Sequence, residues 1–252
     1  GSPVPASSWV PDSAEAEEET EQAAEQALPA LEGLSPALVV KKAERTSTLP
    51  AMLAVARLVG EAQTVDVSAF AGAGAVDLLL TGLEQPGAMT NAAVTLRLCH
   101  AVSVLLRIAP LPVLRRLAAA PTGDADRLAR MLCAAALRHP TSAGLQEVAC
   151  VALAAIAAHA RTPGGGATLV LAAGGAEVAV TALTVGTELP EVVTPAAGLL
   201  GELLRTSGAQ AGAAEEVVRS RGVDRLADAV KKHPAQEGGQ VRLPRPTRLR
   251  TR

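Results

Sequence analysis

Aromatic side chains are almost missing from this chain: Trp9 and Phe70 are the only two in 252 residues, and there is no tyrosine. The shortage removes the platforms on which bases of single-stranded nucleic acid stack and the aromatic cages that hold cationic ligands. Cysteine is scarce as well. Cys99, Cys133 and Cys150 are an odd number, lie in apolar helical patterns and show no Cys-x-x-Cys spacing, so they read as reduced, buried thiols. The histidines, His100, His139, His159 and His233, include no pair one helical turn apart, and no metal or other cofactor is called for. No signal-peptide pattern opens the chain, and the longest unbroken apolar run, Val148 to Ala158, falls well short of the ~20 residues that cross a bilayer. These absences lead to the expectation of a soluble protein without membrane insertion, cytoplasmic with the nucleus also open to it. Gly1-Ser2 without an initiator Met reads as a protease-cleavage scar, so the chain is expected to be a piece of a longer protein.

What is present is mostly alanine, leucine and valine, good helix formers or small apolar residues that suit closely packed helices, and the composition reads all-α. The ends differ from the middle. Residues 1–28 carry seven acids (Asp12, Glu15, Glu17, Glu18, Glu19, Glu21, Glu25) and no base, the pattern of a segment too polar to fold alone. The last eleven residues carry Arg242, Arg245, Arg248, Arg250 and Arg252 with no acid, and Pro244 and Pro246 exclude a regular helix there. Such a tail suits salt-sensitive contact with phosphates or an acidic surface, but a net charge of -2 argues against a dedicated nucleic-acid binder.

Between the ends, apolar helical segments are cut by Gly and Pro with an internal period. The corner at Ala173-Gly174-Gly175-Ala176-Glu177 returns at Arg219-Ser220-Arg221-Gly222-Val223-Asp224, with Gly175 and Gly222 separated by 47 residues. His139-Pro140 and His233-Pro234 are 94 apart, twice that period. The same offset superimposes Leu145, Val148, Ala149, Leu153 and Ile156 on Val192, Pro195, Ala196, Leu200 and Leu203, with Thr194 read as a cap and Pro195 as the first helical residue. An earlier unit begins at Gly72-Ala73-Gly74-Ala75-Val76-Asp77 and leads to a helix from about Ala92 to Ile108. Each unit is thus a short helix, a Gly corner, a medium helix, a break and a long helix. In this the chain resembles the armadillo repeat family, with HEAT-type repeats the near neighbour. Leu145 to Ala157 is similar to that family's third helix, and Ala172 to Ala176 to its first-to-second helix corner.

The resemblance implies an all-α, right-handed superhelical solenoid of about three to four repeats. The expected divisions are an acidic disordered segment (1–28), a degenerate helical cap (29–67), repeats (68–234) and a basic Pro/Arg tail (235–252). Because the tail replaces the long helix of a fourth unit, the stack end should expose apolar surface. That implies truncation, an abnormal C-terminus or an end-to-end partner, self-association included.

No motif for catalysis is framed. Pro163-Gly164-Gly165-Gly166-Ala167 lacks both the GxGxxG spacing and a phosphate-binding Lys, and the repeat explains its glycines as an inter-repeat loop. Cys99 and His100 are neighbours on one helix and point to different faces, while Asp124, Asp126, Glu215 and Glu216 sit at helix starts, where the dipole favours acids. The expectation is a non-enzyme.

By resemblance, the long helices line a concave partner groove. In the family's nuclear-import members a Trp and an Asn on these helices hold an extended basic peptide. Here the Trp position falls on Val151 and Gly198 and the Asn position on Ala155 and Glu202, so that ladder is absent. Charge stands in its place. Residues 85–146 hold seven bases (Arg97, Arg107, Arg115, Arg116, Arg127, Arg130, Arg138) against two acids, and Arg97, His100 and Arg107 share a helix face. The plain alternative is a solvated arginine face. The candidate groove is Arg97, His100, Arg107, Gln146, Val151, Ala155, Thr194, Gly198, Glu202 and Arg205, taking a peptide or helix of a protein partner, or the chain's own acidic residues 15–25. The alternative function is a structural subunit joined to its neighbours through the solenoid ends and the basic tail.

Overall fold

Residues with high helix propensity fill segments bounded by Pro at the first turn and Gly or extended residues at the ends, and each such segment becomes a helix. The computed structural model describes residues 13–119, 124–159, 165–206, 219 and 221–232. In order these form α1 (Ser13–Ala27), α2 (Pro36–Thr46), α3 (Leu49–Glu61), α4 (Thr64–Ala73), α5 (Ala75–Glu84), α6 (Ala92–Ile108) and α7 (Pro110–Ala119). They continue with α8 (Asp124–Arg138), α9 (Ala143–His159), α10 (Gly165–Ala172), α11 (Gly175–Val185), α12 (Pro190–Thr206) and α13 (Gly222–Lys232). Single 3-10 turns occupy Leu28–Ala30 and Ala88–Thr90, and no strand occurs among the described residues. The protein is all-α. No single described helix is both long and apolar enough to cross a membrane.

Three corners recur with the same local geometry. Gly74 (φ 96°), Gly174 (φ 95°) and Arg221 (φ 60°) each adopt the left-handed conformation between a preceding segment and the next helix. From each, the first helical hydrogen bond closes four residues on: Leu78 N to Gly74 O (3.4 Å), Val178 N to Gly174 O (3.2 Å) and Arg225 N to Arg221 O (3.1 Å). An acid follows three residues after each corner, Asp77, Glu177 and Asp224, in the first helical turn where the unpaired N–H groups favour negative charge. At the first two corners the flanking helices, α4–α5 and α10–α11, meet at the same angle, 70°.

The long helices α6, α9 and α12 are all 17 residues, and α9 and α12 are offset by 47. Within them Leu145, Ala149, Leu153 and Ile156 are buried on α9, and Val192, Ala196, Leu200 and Leu203 are buried at the same offset on α12. Helix α3 packs between α1 and α6, and α9 between α6 and α12, so α1, α3, α6, α9 and α12 form a row of neighbours. The shorter α5, α8 and α11 pack on α6, α9 and α12 respectively. A single apolar cluster runs through the molecule from Ala24 to Leu203.

Three expectations need correction. The acidic N-terminal segment is not disordered throughout: Ser13–Ala27 is helical, and Ala24, Leu28 and Leu31 belong to the core. Glu18 and Glu19 are exposed, while Glu21 and Glu25 border the buried Ala24 and pair with the body, so the helix does not need to be apolar overall to dock on one side. The division at 67/68 falls inside α4, whose first turn (Thr64, Val65, Asp66) is exposed and whose first buried residue is Val67. Thr194 does not cap α12. The helix begins a turn earlier, at Pro190, because Val192 N and Val193 N both bond Leu189 O, and Pro195 sits inside it. The expected failure of a fourth unit and the basic tail (Arg242, Arg245, Arg248, Arg250, Arg252) lie outside the described residues.

Candidate functional site

The candidate groove residues all lie on the long helices α6, α9 and α12. Arg97, His100 and Arg107 are all exposed on α6, while their neighbour Cys99 is buried on the opposite side. Arg97 and His100 line a cleft of about 310 Å³ between α3 and α6, together with Ala56, Arg57, Gly60 and Glu61. A Cβ at Gly60 would lie 3.5 Å from Nδ1 of His100, so the imidazole rests on the glycine. Arg107, ten residues beyond Arg97 on α6, does not line this cleft.

On α9, Val151 and Ala155 are half-buried, and on α12 Thr194, Gly198 and Arg205 are exposed. Glu202 keeps only 13 % of its side chain exposed and pairs with Arg205 one turn on, at 2.5 Å. Gly198 and Gly201 stand in the middle of α12 on the face shared with Thr194 and Arg205, and a Cβ at either would meet nothing within 4 Å.

Gln146 does not belong to any surface groove. It is fully buried, and its amide donates to Ala136 O (2.8 Å) and His139 O (3.3 Å), closing the C-terminal end of α8 from the start of α9. Its own Oε1 is buried without a hydrogen bond. His139 is likewise structural, its Nε2 lying 3.0 Å from Met89 O.

Of the seven bases read as a stripe, four are paired within the chain. Arg97 pairs with Glu21 of α1, Arg116 with Asp77, Arg127 with Glu84 and Arg130 with Asp126. The Arg127–Glu84 bridge, from α8 to the end of α5, has a counterpart in Lys232–Glu188 (2.6 Å), from α13 to the segment after α11. These lateral bridges tie successive medium helices together. Arginine in residues 85–146 therefore serves chain-internal pairing as much as a surface stripe.

Sequence reasoning overlooked α3. Arg57 faces two acids at once, donating from Nε to Glu61 at 3.0 Å and forming an ion pair with Glu25 of α1 at 3.6 Å. The hydrogen bond to Glu61 and that residue's charge hold the guanidinium above its ordinary pKa; desolvation opposes them, and the charges of Glu25 and Glu32 add lesser support. The signal was legible in the Arg57–Glu61 spacing of four and in Ala24-x-x-x-Leu28, which marks one apolar edge on an otherwise acidic helix.

The three thiols are buried and free, and burial pushes each up to about 12. A nucleophilic cysteine needs the opposite environment. Among the described residues no group of three or more His, Cys, Asp or Glu is placed to hold a metal ion.

No family model, curated protein or solved structure matches this chain.

Proposed function

We propose that the chain is an armadillo-like helical solenoid acting as a non-catalytic scaffold, which binds a peptide or helix of a protein partner along the exposed face of α3, α6, α9 and α12. The observation that carries this reading is the pair of glycines in the middle of α12. Glycine in a helix interior costs about 1 kcal/mol relative to alanine, and that cost is usually offset by close packing of another backbone. Gly198 and Gly201 face open space, so nothing among the described residues accounts for the missing side chains. A partner's backbone lying close along α12 would account for them. The half-buried Val151 and Ala155 of the adjacent α9 extend the same low, apolar ground, and Arg97, His100 and Arg57 give one end of the face a charged boundary.

The recurrent left-handed corners, the equal 70° bends and the 47-residue offset of α9 and α12 support a stack of like units. Such stacks present a long, shallow surface better suited to an extended partner than to a small substrate. Affinity capture with the full chain and with the double variant Gly198→Arg, Gly201→Arg tests the reading. Arginine at both sites raises helix propensity and its Cβ meets nothing within 4 Å, so the fold is expected to be retained while the face is blocked. Loss of the proteins held by the unaltered chain is the expected result. Their undiminished retention rules the face out.

A further inference from the structure

Helix α1 is an unusual first member of the row. It carries six glutamates and no base. Its apolar hold on the rest of the molecule is narrow: Ala24 and the following Leu28 are buried, Ala23 and Ala27 are half-buried, and two ion pairs stand beside them. Glu21 pairs with Arg97 across 76 residues of sequence, and Glu25 reaches Arg57 at 3.6 Å. Glu25 lies in the last turn of α1, where the unpaired carbonyls disfavour a carboxylate and no base of α1 itself offsets it. The helix is 15 residues long, marginal in isolation, and its side chains at 21, 24, 25 and 28 form one edge of the pattern Glu-x-x-Ala-Glu-x-x-Leu.

The ground beneath that edge has matching chemistry. Arg57 and Arg97 flank a cleft of about 310 Å³ whose other linings are Ala56, Gly60, Glu61 and His100. The two guanidinium groups pair with carboxylates at i and i+4, Glu21 and Glu25, and the open cleft beside them gives room for a helix with small apolar residues between its acids. Both pairs are largely solvent-exposed, with 42 % and 43 % of the side chains of Arg97 and Arg57 accessible. Ion pairs of that kind give orientation and speed of encounter more than strength.

We propose that the α3–α6 end of the face is a docking site for an acidic amphipathic helix of a partner protein, and that α1 occupies this site in cis and is displaced when the partner binds. This rests on the reading that the long-helix face binds protein and adds the class of partner its basic end takes. Tethering gives α1 an effective concentration on the order of millimolar, so a weakly anchored helix still competes with a free ligand.

The probe is a fluorescein-labelled synthetic peptide of residues 13–31, read by anisotropy against the full chain at 50 mM salt. The unaltered chain is expected to bind it poorly. The variant Glu21→Lys, Glu25→Lys, in which α1 is repelled from Arg57 and Arg97, is expected to bind at least tenfold tighter, with affinity falling as salt rises. Adding Arg57→Glu and Arg97→Glu to that variant re-pairs α1 in cis and reverses the charge of the site, and the peptide should then be released. Peptide binding unchanged by the lysine variant, or indifferent to the two arginines, overturns the proposal. Hydrogen exchange of the unaltered chain provides a measure independent of the variants' folding. Raising salt from 50 to 500 mM should speed exchange in α1 and leave α3 unchanged, and equal behaviour of the two helices also overturns it. Either failure leaves capture through Gly198 and Gly201 intact, so the two readings fall separately.

Discussion

Cys99, Cys133 and Cys150 are held neutral by burial, and the absence of tyrosine makes that state measurable. Each thiol titrates near 12 when folded against an ordinary value of 9. The folded state therefore holds these protons more tightly than the unfolded one. Their contribution to stability is complete below pH 9 and is lost as pH rises from 9 towards 12, at up to ~1.4 kcal/mol per pH unit for each thiol. Urea unfolding at pH 8 and at pH 10.5 should show a clear drop in midpoint, and a variant with all three cysteines changed to alanine should show a shallower one. The same burial should leave the native thiols unreactive towards a soluble disulfide reagent until the chain is unfolded. Gln146 is a second residue whose role is fixed by its surroundings. Gln146→Leu removes both amide donors from the end of α8 and should cost about 2 kcal/mol in a denaturant titration. It should leave partner capture unaffected, because the side chain is fully buried.

At the scale of the element, the long helices and the Gly corners were legible in the sequence because each leaves a periodic trace. The helix expected from about Ala92 to Ile108 is α6, and four of the five matched pairs of α9 and α12 are buried on both helices, the exception being Val148 with the half-buried Pro195. The start of α12 was not legible: Thr194-Pro195 has the form of an N-terminus, but the turn closing on Leu189 sets the helix a turn earlier. Gln146 looked like a surface residue because a lone polar side chain in an apolar helix has no sequence mark for what it caps. The docking of α1 was hidden by its composition, since its acids outnumber its few apolar anchors. The corners carry their own expectation. Arg221 takes the conformation that Gly74 and Gly174 take without a side chain, with φ of 60°. Arg221→Gly should stabilise the chain by about 0.5–1 kcal/mol, and Gly174→Ala should destabilise it by about 1 kcal/mol, both read from thermal or denaturant unfolding.

For the whole molecule, one apolar cluster binds the row of long helices to the medium helices behind it, and bridges such as Arg127–Glu84 and Lys232–Glu188 link neighbouring medium helices. Along the exposed face of that row, the α3–α6 end carries Arg57, Arg97 and His100, and the α9–α12 end carries the small residues Ala155, Gly198 and Gly201. The claim that this face binds protein is tested most directly by a photo-crosslinking side chain placed in the full chain at Gly198, with an otherwise identical chain carrying it at Lys41, exposed on α2. The account expects irradiation in cell extract to give a defined protein adduct at Gly198 and none at Lys41. Adducts at Lys41 alone, or the same adducts at both positions, would contradict it.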